Sequence, residues 1–202
     1  PDTGKKEQGE FLEIMINEIK RLARLINQVL DFQKIEAGRM DWQVNPLDPV
    51  QVIRDAIDAT RQLVAEKGLQ LTAEVPEQVP EIAGDRDKLM QVMVNLISNA
   101  VKFCDPRTGR IHIAMASRDR MIEVSVRDNG IGISEEAQEL IFQQFTQISP
   151  AGRGRPQGSG LGLAIARRIV EFHAGTISVR SAPGQGAEFT VTLPIDRTGG
   201  MH

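Results

Sequence analysis

Tyrosine is absent from this chain, and aromatic residues of every kind make up only 4% of it, so any core must be mainly aliphatic. The one cysteine, Cys104, excludes an internal disulfide, which suits a reducing cytoplasm. No apolar run approaches the roughly 20 residues needed to span a bilayer, and no signal-peptide pattern opens the chain. The expectation is a cytoplasmic segment; if the full protein is membrane-bound, its anchor lies upstream. A net charge of −3 leaves no broad basic surface, so general binding of nucleic acid is not suggested. What is present is 41% hydrophobic residues, enough for one core with residues left over for an appendage. No internal repeat is visible.

The first nine residues are polar and carry Gly4 and Gly9, so they read as a frayed lead-in. From Glu10 to Ala37 there is no glycine or proline. Leu12, Met15, Ile19, Leu22, Ile26 and Val29 step by three and four, the spacing of a heptad seam. Ile16, Ala23 and Leu30 widen that seam into a stripe that needs a partner helix. The sequence offers no second long amphipathic helix beside it, so a missing segment or a second chain is expected to supply one. Gly38 is a good C-terminal stop.

Residues 39–48 read as a linker with a short strand around Trp42. Helices are predicted over 50–66, 87–103 and 161–173, and a short one begins at Ser134 as its cap. Alternating strands are predicted over 69–75, 111–116 and 121–128, with a final hairpin of 176–180 and 187–193 turning at Pro183-Gly184. Residues 146–159, rich in glycine, proline, glutamine and serine, read as a mobile loop. The class is α+β: helices layered on a mixed, largely antiparallel sheet, preceded by a long amphipathic helix. The expected division is 1–38, 39–48, 49–197 and a tail, 198–202.

Three places carry chemistry. On the helix over 87–103, Asn95, Asn99 and Lys102 fall within about 60° of one another. Apolar residues cover most of the remaining circumference, the reverse of a solvated helix. An asparagine oxygen suits magnesium and a lysine suits phosphate, although a merely polar edge would look the same. On the strand over 121–128, Asp128 falls on the same side as Ile122, Val124 and Val126. A carboxylate facing a core needs a strong partner, and an adenine exocyclic amine is one, because an ionised carboxylate only accepts hydrogen bonds. Gly130 and Gly132 would then let backbone approach a flat ring. Asp-Asn-Gly is also a common hairpin turn, but a helix start rather than a returning strand follows it. Last, Gly158-Ser159-Gly160-Leu161-Gly162 leads into a helix, where backbone N–H groups and the helix dipole favour phosphate. The spacing fits neither the P-loop nor the dinucleotide fingerprint, and a flexible hinge is the plain alternative.

In this order the segments resemble the ATP-binding domain of the sensor histidine kinases, within the wider gyrase–chaperone–kinase–MutL superfamily. Asn95 to Phe103 is similar to the family's N box, Asp128 to Gly132 to its G1 box, Phe142 to Phe145 to its F box and Gly158 to Leu163 to its G2 box. Arg21 to Asp31, closing with Lys34 to Gly38, is similar to the second helix of the family's dimerisation and phosphoacceptor hairpin. The resemblance implies a two-layer Bergerat fold over 49–197 and ATP and Mg2+ as ligands. It implies magnesium at Asn99 with support from Asn95, and phosphate contact by Lys102. Asp128 would hold adenine; Gly130, Gly132, Gly158, Ser159, Gly160, Leu161 and Gly162 would shape the pocket and its lid, which Phe142 and Phe145 would anchor. Arg153 and Arg155 lie on that lid. Implied partners are a phosphoacceptor-histidine helix, a response regulator receiver domain and a second copy, paired through the N-terminal helix. Gln143-Gln144 and Cys104 depart from the family pattern without removing a ligand.

None of the three histidines, His112, His173 and His202, is followed by an acid or precedes the first helix. Each reads as structural or incidental. The expectation is that the acceptor histidine lies outside this sequence, so the fragment binds ATP but cannot phosphorylate itself. Two other readings stay open: a hydrolytic ATPase of the same superfamily, disfavoured because Asn95 stands where a glutamate base is usual, and a nucleotide-binding pseudokinase scaffold.

Overall fold

A computed structural model describes residues 3–105, 107–147 and 159–195. The chain divides into two compact units, residues 1–40 and 41–202. The first is a single helix, α1 (Thr3–Glu36). It begins well before the predicted start, and residues 3–9 are helical rather than frayed. Two glycines cost about 1 kcal/mol each relative to alanine, too little to break a helix among good formers. The predicted stop holds. Gly38 has φ 63°, and the N–H groups of Gly38 and Arg39 donate to the carbonyls of Ile35 (3.0 Å) and Lys34 (2.8 Å), a Schellman motif. The heptad stripe stays open: Phe11, Leu12, Met15, Ile16, Ile19, Leu22, Ile26, Val29 and Leu30 are between 40% and 64% exposed.

The second unit is a helical layer on a five-stranded sheet. Its helices are α2 (Pro49–Glu66), α3 (Arg86–Phe103), the short α4 (Glu135–Leu140) and α5 (Gly162–Phe172). The strands are β1 (Val44–Leu47), β2 (Gln70–Glu74), β3 (Ile82–Asp85), β4 (Arg110–Arg118), β5 (Met121–Asp128), β6 (Thr176–Ser181) and β7 (Ala187–Pro194). The main sheet runs β2-β4-β5-β7-β6. The pair β2·β4 is parallel and the other three pairs are antiparallel. Alternation buries Ile111, Ile113 and Met115 of β4, Ile122, Val124 and Val126 of β5, and Phe189, Val191 and Leu193 of β7. Each such apolar side chain contributes about 1.5–3 kcal/mol of transfer free energy. In the helical layer α3 packs against both α2 and α5. It buries Leu89, Val92, Met93, Leu96, Ile97, Ala100 and Val101.

Three details differ from expectation. The early strand lies at Val44–Leu47, beyond Trp42, and pairs with β3, which alternation did not reveal because it is four residues long. Trp42 instead stacks on Phe172, with centroids 3.7 Å apart and planes within 7°. Ser134 sits at the N-cap of α4, but its side chain makes no capping bond. The Glu136 carboxylate takes that hydroxyl instead; a bond from its own backbone N–H and then the Ser134 bond hold it below the usual range. Among the described residues no helix is long and apolar enough to cross a membrane.

Candidate functional site

The Asp128 side chain lies at the end of β5 and is only 6% exposed. Its Oδ1 accepts from the N–H of Gly130 (2.8 Å) and of Ala187 (3.3 Å), and both bonds fall on one oxygen. Burial pushes the carboxyl pKa up, and the two backbone donors only partly pull it back. No returning strand follows, so the hairpin alternative falls.

The two glycines that follow lie close against other backbone. A Cβ on Gly130 would stand 2.5 Å from the Phe103 carbonyl oxygen and 2.9 Å from Asp128 Oδ1. Gly132, at φ 70°, would drive a Cβ into the Ala182 carbonyl. What these positions admit is backbone: the end of α3 on one side and the β6–β7 turn on the other. The segment that follows the carboxylate is thereby packed against the helix that carries the polar stripe.

On α3, Asn95 and Asn99 are half-buried and Lys102 is exposed at the helix end. Asn95 Nδ2 is buried with no hydrogen-bond partner, the one such side-chain atom among the described residues. Leaving an amide donor unmet costs about 1–3 kcal/mol, which a protein tolerates where a ligand is to meet it. A Cβ on Gly162, the first residue of α5, would collide with Asn95 Oδ1. Glycine at that position lets α5 begin flush against the asparagine. Lys102 places Nζ 4.6 Å from the Phe103 ring centroid, and partial desolvation lowers its pKa.

The phenylalanine pair separates. Phe142 packs edge-on to Phe189 at 6.3 Å, with the Arg167 guanidinium 5.8 Å from its centroid. Phe145 differs. It has φ 57° in a turn and its side chain is 65% exposed. Gly160, at φ 70°, would bring a Cβ to 2.7 Å from the Phe145 carbonyl carbon, so glycine is required there by backbone proximity. Leu161 is 1% exposed, so its side chain belongs to the core. Its N–H donates to Ser159 Oγ at 3.1 Å. Gly158, Arg153 and Arg155 lie outside the described residues, as does most of the expected lid.

The three predicted segments thus meet around α3: Gly130 at its C-terminal carbonyl, Asn95 on its face, and Gly162 against Asn95. Residues that the sequence did not single out support them. Ser181 Oγ accepts from Ile133 N–H (2.8 Å) and donates to the Gly186 carbonyl (2.6 Å), tying the glycine segment to the β6–β7 turn. Gln138 Nε2 donates to the Ser181 carbonyl at 2.8 Å. The bonds from Ile133 and Gln138 to Ser181 join residues more than 40 positions apart, so no local pattern announces them. His173 is structural, as expected. Its ring is 2% exposed, Nε2 accepts from Asp85 N–H (2.8 Å) and Nδ1 donates to the Ile169 carbonyl (2.7 Å).

Residues 84–197 match the family described as "Histidine kinase-, DNA gyrase B-, and HSP90-like ATPase". Residues 2–38 match "His Kinase A (phospho-acceptor) domain". The chain is 35% identical over 192 residues to an uncharacterized sensor-like histidine kinase of Rhizobium meliloti, across 95% of this chain and 36% of that protein. It is 38% identical over 199 residues to hybrid signal transduction histidine kinase L of Dictyostelium discoideum, across 95% and 12%. The crystal structure of full-length ShkA in complex with AMPPNP superimposes with a TM-score of 0.80 and 30% identity, covering 93% of this chain and 39% of that one. The chain therefore spans between 12% and 39% of these larger proteins.

Proposed function

Because the chain belongs to the histidine kinase-, DNA gyrase B- and HSP90-like ATPase family, we propose that it is the ATP-binding catalytic portion of a sensor histidine kinase. It donates the γ-phosphoryl group of ATP to a histidine outside this sequence, for relay to an aspartate on a response regulator. The observation that carries this reading is the buried Asp128 carboxylate, whose bonds to the described residues fall on Oδ1. Among the described residues Oδ2 takes none, and it suits the exocyclic amine of adenine. Guanine would present a carbonyl there and be repelled.

The triphosphate end is the polar stripe of α3. Asn95 Nδ2 is an unmet donor on that face, and Lys102 supplies a cation at the helix end. Magnesium fits an amide-oxygen donor such as Asn99 Oδ1 and, when bound, neutralises phosphate charge. Phosphoryl transfer depends mainly on positioning and charge neutralisation, so these residues need only hold the chain of phosphates in line. Asn95 cannot take a proton from water, so steady hydrolysis is not expected. The match of residues 2–38 and the open stripe of α1 support pairing with a second copy through a helical bundle.

Titration calorimetry of the chain with ATP and magnesium should show one site, and GTP should bind far more weakly. Incubation with γ-labelled ATP should leave the chain unlabelled, since no histidine lies within residues 1–38. Robust acid-labile labelling of this chain would refute the assignment of the acceptor elsewhere.

A further inference from the structure

We infer that Asn129 is a positioning residue that fixes the distance between Asp128 and the end of α3, and so the spacing of the purine and triphosphate halves of the proposed site. The inference rests on the nucleotide-binding reading above.

Asn129 stands between the carboxylate and Gly130, yet its side chain turns away from both. Oδ1 accepts from the Arg110 N–H at 2.7 Å and from the Cys104 thiol at 3.7 Å. Nδ2 donates to the Thr108 carbonyl at 2.9 Å. Its backbone N–H donates to the Arg110 carbonyl at 3.2 Å. Cys104 is the C-cap of α3 and is buried. One amide therefore ties the residue after Asp128 to the loop that leaves α3, through Thr108 and Arg110, and touches the Cys104 thiol, which also faces the Arg110 carbonyl at 3.8 Å. Ile131 N–H adds a bond from the same segment to the Phe103 carbonyl at 3.4 Å.

The chemistry selects asparagine. Aspartate lacks the donor for Thr108, serine has a single polar atom, and glutamine is one methylene too long for a residue held by its own backbone bond. Gly109 completes the fit, because a Cβ there would stand 2.6 Å from the Asp105 carbonyl oxygen and 2.8 Å from Cys104 Cβ. Neither Asn129 nor its partners carries a role in the proposed phosphoryl transfer. The amide acts through where it holds Asp128.

The test compares ATP, which needs both halves of the site in register, with adenosine, which needs only the purine half. Both affinities are measured by calorimetry or competition on the whole chain with magnesium, below the unfolding transition. Asn129→Ala should weaken ATP by roughly tenfold while changing adenosine by less than about twofold. Asp128→Asn, run beside it, should weaken both. If Asn129→Ala does not fold, Asn129→Asp, which keeps the acceptor and loses the donor, carries the same comparison. Equal losses for the two ligands, or no loss for either, would overturn the positioning role while leaving the nucleotide reading intact. Failure of the unaltered chain to bind either ligand would overturn both.

Discussion

Two buried polar groups in the same unit have opposite fates. At the junction of β3 and α5, everything is matched. Asp85 is 4% exposed and caps α3 by accepting from Lys88 N–H (3.1 Å), while its other oxygen accepts from Gln43 N–H (2.9 Å). His173 uses both ring nitrogens, and Trp42 and Phe172 close around it. At the other place, Asp128 is as deeply buried but is bonded through one oxygen, and Asn95 Nδ2 has no partner at all. A buried group that is fully satisfied stabilises the fold, whereas one left partly unmet costs stability that a bound ligand or water returns. The contrast is between a satisfied polar cluster and one that keeps unmet groups.

The sharpest way to break it is Asp128→Asn. We expect nucleotide affinity to fall about 100-fold, equivalent to about 2.7 kcal/mol, because an amide can present a donor where an acceptor is needed. The ligand-free protein should lose no thermal stability, since the amide oxygen still accepts from Gly130 and Ala187 and no charge is buried. Calorimetry and thermal unfolding on the same sample decide it; lost stability with retained binding would reverse the assignment.

His173→Phe should behave in the opposite way. The ring shape is kept, but the buried Asp85 N–H loses its acceptor, a cost of about 2 kcal/mol. Denaturant unfolding should show that loss, with nucleotide affinity unchanged within about twofold in the folded protein.

A smaller effect sharpens the comparison through pH. Burial raises the folded pKa of Asp128 above its unfolded value. The stability this group contributes is therefore fully present below the unfolded pKa and lost as pH rises through the folded one. Binding needs the ionised form, so nucleotide affinity should decline on acidification from a higher pH than an ordinary aspartate would give. Asp128→Asn should lack that step. Affinity that stays flat through the acid range would show that the carboxylate does not meet the ligand.

Much of this was legible in the sequence because the physics is local. Period-two alternation on β5 placed Asp128 on the core side, and helical spacing put Asn95, Asn99 and Lys102 on one stripe. Gly38 ended α1 where a left-handed residue was needed. Strand β3 was not legible, since four residues give no pattern. The burial of Leu161, the exposure of Phe145 and the clamp at Asn129 were hidden as well, because each depends on a neighbour distant in the chain.

The sequence alone determined which residues could bury and which could bind, since side-chain chemistry and backbone periodicity are properties of short segments. Only the tertiary structure decided which buried polar atoms are satisfied and which glycines separate backbone from backbone. Those outcomes depend on the partner across a packed interface, and close packing leaves room for just one arrangement of such partners.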